Sequence, residues 1–131
     1  MKRKLLTMVL SVAMVISICS ISAVVSYAAV PQKSVTLTVN DKWVESEDIY
    51  YTAARAEVYN ASSSKHRVYG IIKYKSGSNY INDRQFLVSP GDTGSGSSKS
   101  SFLSSKYWRI QLNPYGAGTK KCTANGTIYG R

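Results

Sequence analysis

The chain has 131 residues, of which 17 are Lys or Arg and 7 are Asp or Glu, so its formal net charge at pH 7 is +10. One histidine and two cysteines form no cluster at zinc-ligand spacing, and no glycine-rich phosphate-binding motif is present, so we expect neither a metal nor a cofactor. The excess of positive charge favours anionic partners.

The N-terminal segment has the features of a cleavable signal peptide. Lys2, Arg3 and Lys4 precede an apolar stretch over residues 5–25, and Ser26-Tyr-Ala28 follows it. Cleavage after Ala28 would remove three of the 17 basic residues and leave residues 29–131 as a single secreted domain. The alternative is an uncleaved anchor, since the apolar stretch could just span a hydrocarbon core about 30 Å thick. In both cases we expect the domain to be extracellular, with no transmembrane helix after the signal.

The first elements of the domain are predicted from alternation and turn signals. Residues 34–39 alternate apolar and polar side chains, which predicts a strand with Leu37 and Val39 facing inward. Trp43 then opens a short strand or a loop that its indole fills. The acidic residues nearby match no calcium-loop spacing, and we interpret them as a solvated turn that could pair with basic side chains elsewhere in the fold. These residues are Asp41, Glu45, Glu47 and Asp48.

A β-hairpin is predicted for residues 49–75. Residues 50–59 and 67–75 both alternate, and the polar segment 60–65 between them is interpreted as the connecting loop. One set of alternate positions is small or apolar and is expected to face the core. The opposite set combines aromatic and basic side chains, which lie about 5 Å apart on paired strands. Its candidate binding residues are Arg55, Tyr59, Arg67, Tyr69, Lys73 and Lys75, with Glu57 among them.

The remaining strands follow the same pattern. Residues 80–88 form a strand, the turn at 89–92 contains a proline that cannot donate to a ladder, and the Gly/Ser-rich residues 93–101 fit a flexible crossing loop. Residues 107–112 and 121–129 alternate again. Six to seven short strands, with no helical periodicity after the signal, predict an all-β fold. We expect a small antiparallel β-sandwich of immunoglobulin-like type.

Two outcomes are open for the cysteine of the mature domain. Cys19 lies in the signal segment, so Cys122 has no partner for an intramolecular disulfide. Cys122 shares its alternate positions with Ala124 and Ile128, which favours burial as a small apolar side chain. A disulfide to a second chain, and hence a dimer, is the alternative.

One segment carries a resemblance to an enzyme family. Asp92-Thr-Gly-Ser95 resembles the short signature around the catalytic Asp of aspartic proteases, and Ile128-Tyr-Gly130 is similar to the apolar partner segment of that family. The resemblance implies a dimeric protease in which each chain supplies one Asp to a shared site. The apolar strand that precedes this Asp in the family is replaced here by Ser89-Pro-Gly91. A Pro-Gly-Asp turn accounts for the same residues, and we expect a non-enzymatic protein.

The functional prediction is an exported, small, basic binding protein that acts at a cell surface through its basic-aromatic sheet face. Aromatic rings beside cations suit acidic sugars, wall-polymer phosphates and lipid headgroups, so the expected partner is an anionic cell-envelope component, as for an antimicrobial or bacteriocin-like protein. Nucleic acid would also fit, but we expect none because an exported protein meets less of it. The alternative is a secreted protein-binding module, such as an enzyme inhibitor, that uses an exposed loop at residues 60–65 or 89–101.

Overall fold

Nine strands form in the part of the chain that the computed structural model describes, residues 29–116 and 118–131. The predicted signal segment, residues 1–28, lies outside the described residues. Within the described ranges 29–116 and 118–131, no helix is long and apolar enough to cross a membrane. The strands are β1 (Gln32–Leu37), β2 (Val44–Glu45), β3 (Ile49–Tyr51), β4 (Ala54–Asn60), β5 (Val68–Ser76), β6 (Asn79–Val88), β7 (Thr93–Ser97), β8 (Lys106–Pro114) and β9 (Ala124–Gly130).

The strands form two antiparallel sheets, and the predicted β-sandwich is confirmed. The first sheet has the order β1-β9-β4-β7, and the second has the order β2-β8-β5-β6 with β3 also paired to β8. Because β2 and β3 both pair with β8, they act as two segments of one interrupted strand. The resulting order is that of an eight-stranded jelly roll. It differs from the immunoglobulin order, in which the first two strands share a sheet, since here β1 and β2 lie in different sheets.

The predicted hairpin of residues 49–75 is wrong. Strand β4 pairs with β7 and β9 in the first sheet, whereas β5 pairs with β6 and β8 in the second. The connecting segment 61–67 therefore crosses from one sheet to the other, a separation of about 10 Å that a loop of this length spans easily. As a consequence, the six candidate binding residues do not share one sheet face.

The core fills the space between the sheets with the alternate positions that the sequence pattern indicates. Trp108, Ile110 and Leu112 of β8 are completely buried, and the Trp108 indole donates to the Tyr51 carbonyl oxygen at 2.9 Å. The other large members of the core are Leu37, Val58, Val68, Ile72, Val88 and Ile128. One expected inward position is wrong, because Val39 lies beyond the end of β1 and is 51% exposed.

The Gly/Ser-rich segment after the Pro turn is a strand rather than a flexible loop. Residues 93–97 form β7 and pair with β4. Gly94 and Gly96 face the opposite sheet, where a Cβ at Gly96 would lie 2.7 Å from Cδ1 of Phe86 and one at Gly94 would lie 2.6 Å from Cγ2 of Val88. The small residues are required because β6 approaches β7 too closely for any side chain between them.

Candidate binding site

The centre of the outer face of the second sheet is occupied by a hydrogen-bonded ion-pair cluster. Arg109 donates from Nε to Asp48 at 2.8 Å, from Nη1 to Glu45 at 2.8 Å and from Nη2 to the Tyr80 hydroxyl at 2.7 Å. Its guanidinium carbon lies 3.6 Å from the centroid of the Tyr80 ring. Lys73 donates to the second oxygen of Glu45 at 2.7 Å. The two cations are therefore matched by two carboxylates.

The charges of this cluster are stabilised by one another. Burial acts to raise the carboxyl pKa values of Glu45 and Asp48, but the hydrogen bonds they accept outweigh it and both pKa values lie below their usual range. Burial and the bond to Asp48 raise the pKa of the Tyr80 hydroxyl. Burial opposes the charge of Arg109, but its bonds to Asp48 and Glu45 raise its pKa. Glu45 and Asp48 thus pair with basic side chains of the fold, which the sequence left open, but they are largely shielded from water rather than solvated. They neutralise the middle of this face.

At one end of the sandwich, backbone hydrogen bonds join three loops, which are those after β1, between β4 and β5, and between β8 and β9. The amide of Lys65 donates to the Lys121 carbonyl at 3.0 Å, and the amide of Lys121 donates to the Val39 carbonyl at 2.9 Å. The amide of Tyr115 donates to the Arg67 carbonyl at 2.8 Å. Lys121 has a φ of 70°, a left-handed conformation that is unusual for a residue with a side chain and is retained where surrounding bonds enforce it.

This end, which we call the basic end, carries an excess of positive charge. Its basic residues come from the loops before β2, between β4 and β5, and between β8 and β9, and all are exposed; they are Lys42, Lys65, Arg67, Lys120 and Lys121. Two acidic residues lie at the same end, Asp41 in the loop before β2 and Asp92 on the turn between β6 and β7, whose carbonyl accepts from the Asn60 amide. The Asp41 carboxylate accepts hydrogen bonds from the Thr38 hydroxyl and amide, and these bonds lower its pKa. The basic end keeps a net positive charge close to three.

Three aromatic rings border the basic end, and two of them, Trp43 and Tyr69, line a hollow. Trp43 is 57% exposed, so the predicted role of its indole as a plug for its own loop is wrong. The Tyr69 and Tyr115 rings lie 5.6 Å apart between centroids, and the Arg67 guanidinium carbon lies 4.6 Å above the Tyr115 ring. A concavity of about 340 Å³, which we call the Trp43 hollow, is lined by Lys42, Trp43, Tyr69, Asn113, Pro114, Gly116 and Gly118.

A smaller aromatic and basic group lies at the other end of the same sheet. The Tyr50 and Tyr107 rings are 4.8 Å apart between centroids, and Lys75 Nζ lies 5.9 Å from the Tyr107 centroid. Lys106 joins them in lining a shallow hollow of about 350 Å³. Tyr107 and Asn113 are six residues apart on β8 and point to the same face, so the two hollows are about 20 Å apart along that strand.

The structure therefore divides the six candidate residues among four places. Arg67 and Tyr69 meet at the basic end, Lys75 lies at the far end, and Lys73 is held in the central cluster. The other two lie on the first sheet, where Tyr59 is exposed and Arg55 donates to Glu57 at 2.9 Å. Arg55 also lies 4.5 Å above the Tyr129 ring.

Several residues of the basic end were missed because they are distant in the sequence. Trp43 lies among acidic residues, so the sequence gives no sign that it borders a basic surface. Tyr115 lies in Pro114-Tyr-Gly116, which the sequence indicates only as a turn. The alternation predicts that the last strand begins at Lys121, whereas it begins at Ala124, so Lys120 and Lys121 both lie in the loop before it. The one local signal was the pair of basic clusters at 65–67 and 120–121, and nothing in the sequence indicates that they adjoin.

Two further sequence hypotheses concern Asp92 and Cys122. Asp92 is exposed on the turn between β6 and β7, whereas the chemistry of an aspartic protease needs a buried pair of carboxylates. Cys122 is completely buried, and its Sγ lies 3.4 Å from the His66 carbonyl oxygen. A disulfide to a second chain would require this part of the fold to open.

Comparison with known proteins identifies related folds. No protein-family model matches the chain, and no curated protein matches it. The structure is similar to the crystal structure of PirA, with a TM-score of 0.51 and 13% sequence identity over 80% of this chain and 97% of that one. It is also similar, with a TM-score of 0.47 and 7% identity, to a Yersinia pseudotuberculosis-derived mitogen over 79% of this chain and 86% of that one. At these identities the likeness concerns the fold alone.

Proposed function

We propose that the domain is an exported binding protein that attaches to an anionic component of a cell envelope through its basic end. The observation that carries this proposal is the convergence of five exposed Lys and Arg side chains and the rings of Trp43 and Tyr115 from loops that are hydrogen-bonded to one another, beside the Tyr69 ring of β5. Long-range attraction by the basic residues raises the rate of encounter with an anionic surface. Because the loops are already ordered, little conformational entropy is lost on binding.

The proposal includes an antimicrobial or bacteriocin-like role in which attachment, rather than catalysis, is the activity. The placement of this attachment away from the centre of the second sheet is supported by the balance of charges on its outer face. The cations in its centre are neutralised by Glu45 and Asp48, so the attraction for an anionic polymer is concentrated at the ends of the sheet. Lys73, which the central cluster holds, is accordingly not part of the proposed site.

A charge-neutralised variant tests the placement of the site. The quadruple variant Lys42→Gln, Lys65→Gln, Arg67→Gln and Lys120→Gln should lose most of its capture by whole cells and by isolated anionic wall polymer, and added salt should weaken capture by the wild type. The matched control changes Lys75, Arg84, Lys99 and Lys106 to Gln. It removes the same net charge from other surfaces and should retain capture.

The two variants distinguish a localised site from non-specific attraction. Equal losses in both would contradict a localised site and leave net charge as the cause. Retention of capture by the basic-end variant would contradict the proposal outright.

A secreted protein-binding module is the second candidate function, and one observation favours it. Leu103, in the loop between β7 and β8, is fully exposed, and a partner that covered it would gain the free energy of burying an apolar side chain. Of the two segments expected to serve this role, residues 93–97 are the paired strand β7, and residues 61–65 are bonded to the neighbouring loop at Lys121 and Thr123 and belong to the basic end.

A further inference from the structure

We propose that the Trp43 hollow binds one acidic sugar ring, a uronic acid unit of a surface polysaccharide. This inference rests on the proposed function and names the ligand class of the same site. It depends on three features of the hollow, which are its exposed aromatic faces, the side-chain amide inside it and the cations at its edge.

The aromatic faces supply a surface for a sugar ring. A pyranose has a flat side of C–H bonds, and the electron-rich face of an aromatic ring attracts such weakly positive hydrogens. Trp43 and Tyr69 both line the hollow, and Tyr115 supports Tyr69 from the side. The volume of about 340 Å³ falls within the range of about 300–1,000 Å³ that is usual for small-ligand sites. Simple attraction between charges would need none of these rings.

The polar groups of the hollow fit the rest of an acidic sugar. The Asn113 amide is able both to donate to and to accept from a sugar hydroxyl. Lys42 lines the hollow, and Arg67 is held over Tyr115. Within the described chain neither Lys42 nor Arg67 forms an ion pair. Both are therefore available to a carboxylate, which Arg binds well in a two-pronged geometry.

The shape of the site favours a sugar over a lipid surface or a phosphate polymer. A membrane surface is contacted by protruding apolar groups, whereas Trp43 forms part of a concave wall. A phosphate chain is bound by point charges and gains nothing from stacking. The ligand that uses the rings, the amide and the cations together is a ring with hydroxyls and a carboxylate.

Tryptophan fluorescence provides a direct measurement. The mature domain has two tryptophans, the exposed Trp43 and the buried Trp108, so a ligand in the hollow changes the emission of Trp43. We would titrate the domain with oligomers of galacturonate, glucuronate and mannuronate at physiological salt. The matched ligands are the methyl esters of the same oligomers, which keep the sugar and lose the charge. Polyphosphate and phosphatidylglycerol vesicles represent the other anionic classes.

At least one uronate oligomer should change Trp43 emission and bind roughly 10-fold or more tightly than its methyl ester, polyphosphate and the vesicles. The variant Trp43→Ala, followed by calorimetry, should bind that oligomer about 10-fold more weakly. The matched control is Tyr50→Ala, which removes an aromatic ring of nearly equal exposure, 56% against 57%, from the far end of the sheet. It should bind as the wild type does, and circular dichroism would show that both variants fold.

The outcomes separate this inference from the proposed function. Equal binding of uronate and ester, equal binding of polyphosphate or vesicles, or unchanged uronate binding by the Trp43 variant would overturn the acidic-sugar assignment. If envelope capture still depended on the basic end, the proposed function would stand. If the domain bound none of the uronates and cells still captured the basic-end variant, the acidic-sugar assignment and the proposed function would both be wrong.

Discussion

Arg109 is the residue on which the outer face of the second sheet depends most. All three of its guanidinium nitrogens donate hydrogen bonds, and their partners are two carboxylates and a phenol. The side chains of Arg109, Glu45 and Asp48 are only 18–25% exposed, so water replaces these bonds poorly. Removal of Arg109 leaves the partly buried Asp48 without its ion-pair partner and leaves Glu45 paired with Lys73 alone.

We predict that Arg109→Leu lowers the free energy of unfolding by about 1–3 kcal/mol at pH 7. The folded state lowers the carboxyl pKa values of Glu45 and Asp48, so their contribution is present above the ordinary carboxyl range, about 3.9–4.3. It is lost as the pH falls through the lowered values. The difference between wild type and variant should therefore shrink at pH 3, as measured by urea unfolding.

The control for Arg109 is Lys33→Leu. It removes an ion pair to Glu47 whose side chains are 46% and 80% exposed, and pairs this exposed contribute little to stability because water and salt screen them. An Arg109 effect that is the same at pH 7 and pH 3 would contradict the electrostatic explanation and indicate lost packing against Tyr80.

At the scale of elements, the contact between β6 and β7 joins the two sheets along one side of the sandwich. Phe86 of β6 fills the space that Gly70 leaves in its own sheet and Gly96 leaves in the opposite sheet. A glycine in a strand interior is ordinarily unfavourable, so the close approach of the sheets explains its presence here.

We predict that Gly96→Ala lowers the free energy of unfolding by roughly 1–3 kcal/mol, because the new Cβ would overlap the Phe86 ring. The double variant with Phe86→Leu should lose less than the sum of the two single variants, by at least ~0.5 kcal/mol, since the smaller side chain makes room. Urea unfolding of the four proteins measures this coupling. Ser95→Ala, at an exposed position of the same strand, should be nearly neutral, and strictly additive losses would show that the overlap is relieved elsewhere.

Strands were predictable from the sequence, but their partners were not. Alternation at Trp108, Ile110 and Leu112 predicts which side chains face inward, because successive residues of a strand point to opposite faces. The same pattern does not specify which sheet a strand joins. The loop of residues 61–67 is polar and short, so it fits a hairpin and a crossing equally well. The basic end was unpredictable for the same reason, since it depends on which loops the two sheets bring together.

At the scale of the whole molecule, the burial of Cys122 bears on whether two copies of the chain become linked. The thiol is completely buried, and the loops beside it carry the exposed basic residues Lys65, Arg67, Lys120 and Lys121. Two copies would have to bring their basic ends together before their sulfurs could meet, and like charges oppose that approach.

We therefore predict that the domain formed by residues 29–131 stays monomeric and does not form a disulfide under oxidising conditions. Its Cys122 thiol should react with Ellman's reagent only when urea unfolds the domain, over the same range of urea concentration in which Trp108 becomes exposed. Non-reducing electrophoresis supplies a second measurement. Rapid reaction of the native thiol, or a dimer that a reductant dissociates, would contradict this prediction and support the disulfide-linked alternative.

Strand β9 has a consequence for the order of events in folding. It lies between β1 and β4 in the first sheet, although it comes later in the chain than every other described strand. Until residues 124–130 have been synthesised, β1 has no partner and β4 has only β7. Pairings between such distant segments form slowly, so a growing chain stays extended for longer than one built from local hairpins. An extended chain is the form that a membrane channel accepts, so this topology is compatible with the export proposed above.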